Sequence, residues 1–275
     1  SRRQRQMCIR DRFLALKAVV GTGDEVIIPS PFFTSYDAEV MLCGGRPVTV
    51  ALRPEHGMRV NAADIEAAIT PRTRAVIINS PGNPTGAVTS AAELARIAEV
   101  CKQHNIWAIS DEVYHPFVFG ETFGETLGGE AAVAPSIAAV PGMKDRTIVV
   151  ESLSKTYAMT GWRIGYVAGP RNEICAMTSF QSHATSNANS IAQYAAMKAL
   201  QGDPQCVTDM VAQFEARRNA MVEKINSIPG LSCMKPQGAF YIMLNITGVM
   251  GKTYNGRVID SLSLIHISEP TRHAQ

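Results

Sequence analysis

The sequence has no apolar run long enough to span a bilayer, no apolar signal core near its first residue, and no cysteine pair at CxxC spacing. The first absence leaves no membrane-crossing helix to expect. The last excludes a zinc-finger pattern, and six cysteines scattered over 275 residues read as reduced thiols of a cytoplasmic protein. Excess charge of one sign is lacking too. The 26 Lys and Arg against 24 Asp and Glu leave +2, too little for a nucleic-acid-binding surface. What remains is 46% hydrophobic and 18% charged, the balance of an ordinary folded protein. Its length suits one large domain and part of a second.

The two ends share neither the composition nor the periodicity of the rest. "SRRQRQMCIRDR" has no hydrophobic period, and "LSLIHISEPTRHAQ" continues nothing before it. Met7–Arg12 and Leu262–Ile267 can be encoded by one DNA element read in opposite orientations. Residues 1–12 and 261–275 are therefore expected to be translated adapter sequence, with native sequence from about Phe13 to Asp260.

Between the ends, α and β patterns alternate. "RFLALKAVV", "TSYDAEVMLCGG", "NAADIEAAI" (capped by Asn61) and "SAAELARIAEVCKQHN" read as helices. "EVIIPS", "RPVTVAL", "TRAVIINS", "IWAISDEVY", "RTIVVESLS" and "RIGYVAG" read as strands. "FGETFGETLGGEAAVAP" reads as a loop or weak helix. Three helical stretches follow the last of these strands, and "GLSC" and "GAFYIMLNI" close the chain as two short strands. The alternation predicts an α/β fold, with a mostly parallel sheet covered on both faces. It is expected to form a large domain over residues 13–205, with a smaller α+β unit beginning over 206–260.

In such sheets ligands sit beyond the C-terminal strand ends. Three strands end there on chemically capable residues. "AVIINSPGNPTG" delivers Asn83, "IWAISDEVY" delivers Asp111 and Tyr114, and "TIVVESLSK" delivers Ser152, Ser154 and Lys155. Each alone has a plainer explanation. Asn83 suits a turn, Asp111 could cap a helix over "EVYHPF", Lys155 could be solvated, and Tyr114 could be an ordinary half-buried ring. Together, one edge gathers an amide, a carboxylate, a phenol, hydroxyls and an amine.

"SPGNPTG", "SDEVY" and "SLSKTYAMTGWRIGY", in that order, resemble the motifs of the class I/II aminotransferases, which are fold-type-I pyridoxal-phosphate enzymes. The resemblance covers almost all of Phe13–Asp260. It implies the three-layer fold of that family and pyridoxal 5'-phosphate as cofactor. Lys155 would link covalently to the cofactor aldehyde and then, as a neutral amine, shuttle the substrate proton. Asp111 would pair with the pyridine nitrogen. Asn83 and Tyr114 would hydrogen-bond the ring oxygen, Ser152 and Arg163 would hold the phosphate, and Phe33 of "SPFFTSY" would stack on the ring. Cis bonds are implied before Pro31 and Pro84.

The family's glycine-rich phosphate turn, N-terminal arm and substrate-carboxylate arginine have no counterpart here. The implied activity is amino transfer from an L-amino acid, aspartate-like or aromatic, to a 2-oxo acid, in a homodimer. Two alternatives share these motifs: another fold-type-I activity such as a C–S β-lyase, and a ligand-sensing domain of a transcription regulator.

Overall fold

The computed structural model describes residues 4–5, 8–120, 133–254 and 256–260. A seven-stranded sheet organises the chain, in the order β1-β7-β6-β5-β4-β2-β3. Its strands are β1 (Gln4–Arg5), β2 (Glu25–Ser30), β3 (Arg46–Ala51), β4 (Thr73–Asn79), β5 (Trp107–Asp111), β6 (Thr147–Ser152) and β7 (Gly165–Ala168). The run from β6 to β3 is parallel, while β7 pairs antiparallel with β6, and β1 with β7.

The helices are α1 (Cys8–Val19), α2 (Tyr36–Leu42), α3 (Ala62–Ala67), α4 (Ala91–Gln103), α5 (Leu153–Thr156), α6 (Arg171–Ala184), α7 (Ser190–Gln201) and α8 (Gln205–Asn226). Successive strand residues point to opposite faces, and the core divides accordingly. Val26, Ile28, Ala75, Ile77, Ile148 and Val150 meet Leu14 and Leu16 of α1, Val40 of α2 and Ile174 of α6. Ile27, Val76, Ile78 and Ala108 meet Ile65 of α3 and Leu94, Ile97 and Ala98 of α4. The expected three-layer α/β/α arrangement is therefore present. Asn61 caps α3, accepting from the N–H groups of Ala63 and Asp64. Ser90 caps α4 through the Glu93 N–H.

Three expectations need correction. The first helix does not start at Arg12. It runs back to Cys8, because residues 8–12 contain no glycine or proline to stop it and Asp11 suits the positive end of a helix. "IWAISDEVY" is a strand only as far as Asp111 and then turns. "GAFYIMLNI" is not one strand, since only Leu244–Asn245 (β9) pairs, with β8 (Ser232–Cys233). Phe240 and Tyr241 pack instead into an aromatic cluster with Tyr114, Phe117 and Phe214 of α8. A last hairpin joins β10 (Thr253–Tyr254) to β11 (Arg257–Val258). Most of "FGETFGETLGGEAAVAP", residues 121–132, lies outside the described residues.

A short strip, Pro236–Ala239, ties two loops together. The N–H groups of Gln237 and Gly238 donate to Gly86 O, Phe119 N–H donates to Gln237 O, and Ala239 N–H donates to Phe117 O. Gly86 sits at φ +66°, where a Cβ would lie 2.5 Å from Pro236 Cβ, so glycine is required there. Peptide bonds before Pro31 and Pro84 are cis, as implied, and so is the one before Pro81.

Candidate active site

Parallel pairing brings the C-terminal ends of β4, β5 and β6 to one edge. Asn79 and Asp111, the last residues of β4 and β5, are register partners. Asn79 Nδ2 donates to Asp111 O at 3.0 Å, and its Oδ1 accepts from Asn83 N–H at 2.7 Å. One amide thus sets the loop that carries Asn83 against the strand that carries Asp111. The Asp111 carboxylate is buried. Its Oδ2 accepts from the Tyr36 hydroxyl and from Arg12 Nη1, each at 2.9 Å, and its Oδ1 accepts from Val113 N–H at 3.3 Å.

β6 ends on Ser152, whose Oγ caps α5 by accepting from Ser154 N–H at 3.1 Å. That single turn carries Lys155, whose Nζ lies 5.4 Å from the centroid of the Phe240 ring. Arg163 follows in left-handed backbone at φ +52° and donates from Nη1 to Thr160 O at 2.7 Å. The Tyr114 hydroxyl lies 2.7 Å from the Tyr241 hydroxyl.

All seven residues singled out in the sequence, Phe33, Asn83, Asp111, Tyr114, Ser152, Lys155 and Arg163, line one cavity of about 180 Å³. Sequence reasoning missed six others on its wall, among them Arg12, Tyr36, Asn79 and Tyr241. Asn79 could have been found as the polar last residue of an apolar strand. Tyr36 lies three residues beyond Phe33. Nothing in the spacing marks Tyr241. A larger, more open cavity of about 670 Å³ shares Arg163 and is lined by Trp162 and Ile191, but it contains none of the other six.

The donor set suits pyridoxal phosphate. An amine, a buried carboxylate, a phenol and an amide, a hydroxyl with a guanidinium, and an aromatic face all converge on one small space. One wall residue, Arg12, competes with that fit by pairing with Asp111.

On the opposite face of the same strand ends, His115 Nδ1 lies 3.4 Å from both Glu112 and Glu151. Burial pulls the His115 imidazole towards the neutral form, but hydrogen bonds to the two carboxylates outweigh it and lift its pKa to about 9. Burial pushes Glu151 up to about 7. Among the described residues these three also form a trio at metal-ligand spacing. In the structure they make an ion triad.

An α/β sheet with an amine, a carboxylate and a guanidinium at its carboxyl edge has the place and the groups with which such folds hold ligands. The chain belongs to the class I and II aminotransferases, whose family profile matches residues 12–261. It is 45% identical over 243 residues to an aspartate/prephenate aminotransferase of Cereibacter sphaeroides, covering 88% of this chain and 58% of that protein. It is 44% identical over 234 residues to an aspartate aminotransferase of Geobacillus stearothermophilus, covering 85% and 57%. The solved aspartate aminotransferase of Rhizobium meliloti superposes with a TM-score of 0.87 at 40% identity, over 97% of this chain and 65% of that one. The chain thus spans somewhat under three fifths of the length of the curated relatives it matches.

Proposed function

We propose that the protein to which this chain belongs is a cytoplasmic, homodimeric, pyridoxal-phosphate-dependent aminotransferase. It moves the amino group of an L-amino acid, aspartate-like or aromatic, to a 2-oxo acid. The convergence of Lys155, Asp111 and Arg163 on one cavity carries this reading. The named relatives favour aspartate as donor.

When bound, the cofactor supplies an electron sink for the carbon that loses its proton. The chain's own residues do the rest. Lys155 Nζ would act as the general base that takes the proton from the substrate α-carbon. Asp111 holds a proton on the ring nitrogen, and the Asn83 amide and Tyr114 hydroxyl orient the ring through its oxygen. Ser152 Oγ and the Arg163 guanidinium would hold the phosphate through charge-assisted hydrogen bonds. Phe33 supports the ring face, while Phe240 and Tyr241 close the Lys155 side against water.

Lys155→Ala in the complete protein tests this. It should abolish the cofactor's visible, lysine-linked absorbance and remove 2-oxo-acid-dependent amino transfer. A persisting lysine-linked chromophore would assign the cofactor to another amine. Release of pyruvate and ammonia without a 2-oxo acid would show a lyase instead.

A further inference from the structure

One side chain from beyond α8 enters the site. Of the described residues that line its cavity, Tyr241 is the only one that follows Arg163 in the chain. The strip before it fixes where it stands. Ala239 is fully buried, and its N–H donates to Phe117 O at 2.9 Å. Phe240 packs edge to face with Tyr114 at a centroid distance of 5.2 Å, and Tyr241 does so at 5.6 Å and 86°. These ring contacts bring the Tyr241 hydroxyl to 2.7 Å from the hydroxyl of Tyr114, a residue that is itself buried. That is the length of a full O–H···O hydrogen bond. Its direction is open in the structure, since either oxygen can be the donor.

A phenol has one proton to give. An ionised ring oxygen on the cofactor can only accept, so Tyr114 gives its proton there and can then only accept from Tyr241. We propose that Tyr241 is a positioning residue: its hydroxyl donates to the Tyr114 oxygen and turns the Tyr114 proton towards the cofactor ring. The inference rests on the proposed function for that ring oxygen. Hydrogen bonds in a chain polarise one another, so Tyr114 becomes a stronger donor by accepting from Tyr241. The effect extends to Lys155. In pyridoxal phosphate the aldehyde and the ring oxygen sit on neighbouring ring carbons. A donor that stabilises the negative oxygen lets the lysine-linked nitrogen beside it release its proton more easily. Tyr241 thus favours the neutral nitrogen without touching it.

The test is a double-mutant cycle in the complete protein loaded with pyridoxal phosphate. Tyr241→Phe removes the hydroxyl and keeps the ring that packs on Tyr114 and Phe240. The pH at which the lysine-linked absorbance changes is read for the unsubstituted protein, Tyr241→Phe, Tyr114→Phe and the double variant. Tyr241→Phe should raise that pH by about 0.3 or more, a roughly twofold change in proton affinity. The rise should vanish where Tyr114 is already replaced. An equal rise in both backgrounds overturns the proposal, because Tyr241 would then act by packing and not through Tyr114. A Tyr241→Phe protein that no longer folds, judged by its urea midpoint, overturns it for the same reason. Absorbance that titrates alike in every variant fails this inference alone. Absence of any lysine-linked absorbance in the unsubstituted protein fails the functional reading, and the inference with it.

Discussion

Asp111 carries two meanings in the sequence, a partner for a ring nitrogen and a cap for a helix over "EVYHPF". No helix follows it, and Val113 N–H reaches Oδ1 only at 3.3 Å. Loss of a cap would cost about 1 kcal/mol of stability and spare the chemistry. Loss of the group that holds the ring proton raises the barrier itself. In the complete protein, Asp111→Ala should keep the fold and lose at least about three orders of magnitude in turnover, roughly 4 kcal/mol. Asp111→Glu should be harmed less. Steady-state rates and a urea midpoint measured on the same preparations check this, and near-normal turnover with lowered stability would restore the cap. At this scale the site was legible where a strand stopped on an unusual residue, as at Asp111 and Ser152. Asn79 was passed over because a polar residue at a strand end also reads as a turn. Tyr241 was invisible because its role depends on a fold-back from beyond α8. Arg12 was set aside as part of an extension, yet its long side chain reaches the middle of the site.

The elements were legible wherever hydrophobic period and punctuation agreed, as for α4 with its Ser90 cap or β4 before its proline-glycine loop. They failed where tertiary packing overrode propensity. Phe240 and Tyr241 are good strand formers that pair with no strand and fill an aromatic cluster instead. The β5 and β6 ends are joined by more than their ladder, because His115 bridges Glu112 and Glu151. The imidazole's pKa is raised from 6.5 to about 9, so its contribution to stability is complete below about pH 6.5 and is lost as pH rises through 9. Glu151, raised from 4.5 to about 7, has the same sign and loses its contribution as pH rises through 7. Stability should therefore fall from about pH 4.5 to 9, the Glu151 part between about 4.5 and 7 and the His115 part between about 6.5 and 9. His115→Gln should flatten the upper part of that fall by about 2 kcal/mol, a figure discounted for the partial exposure of the ring. Denaturant midpoints across that range test it, and an unchanged slope in the variant would show that the bridge carries no charge.

For the molecule as a whole, the alternation of strands and helices was enough to predict the three-layer arrangement, since a parallel sheet needs cover on both faces. What alternation does not reveal is which outer surface is left for a partner. On α7, Ile191 and Tyr194 are each 69% exposed and lie three apart on one helical face. Ile191 also lines the cavity that Trp162 and Arg163 line. If the complete protein is the proposed dimer and this face lies within it, Ile191→Glu with Tyr194→Glu should shift sedimentation from dimer to monomer. A dimer indifferent to both changes would place the interface elsewhere.

The strip at Pro236–Ala239 bears on how such a chain can be recombined with its relatives. Gly86, Phe117, Phe119 and Gln237 belong to one hydrogen-bonded rim although they are scattered through the sequence. A crossover anywhere between Gly86 and Gln237 would inherit one side of that rim from each parent. The space at Gly86 is too tight to absorb a mismatched neighbour. Chimaeras of this fold joined between Gly86 and Gln237 are therefore expected to lose stability relative to both parents wherever the parents differ along that rim.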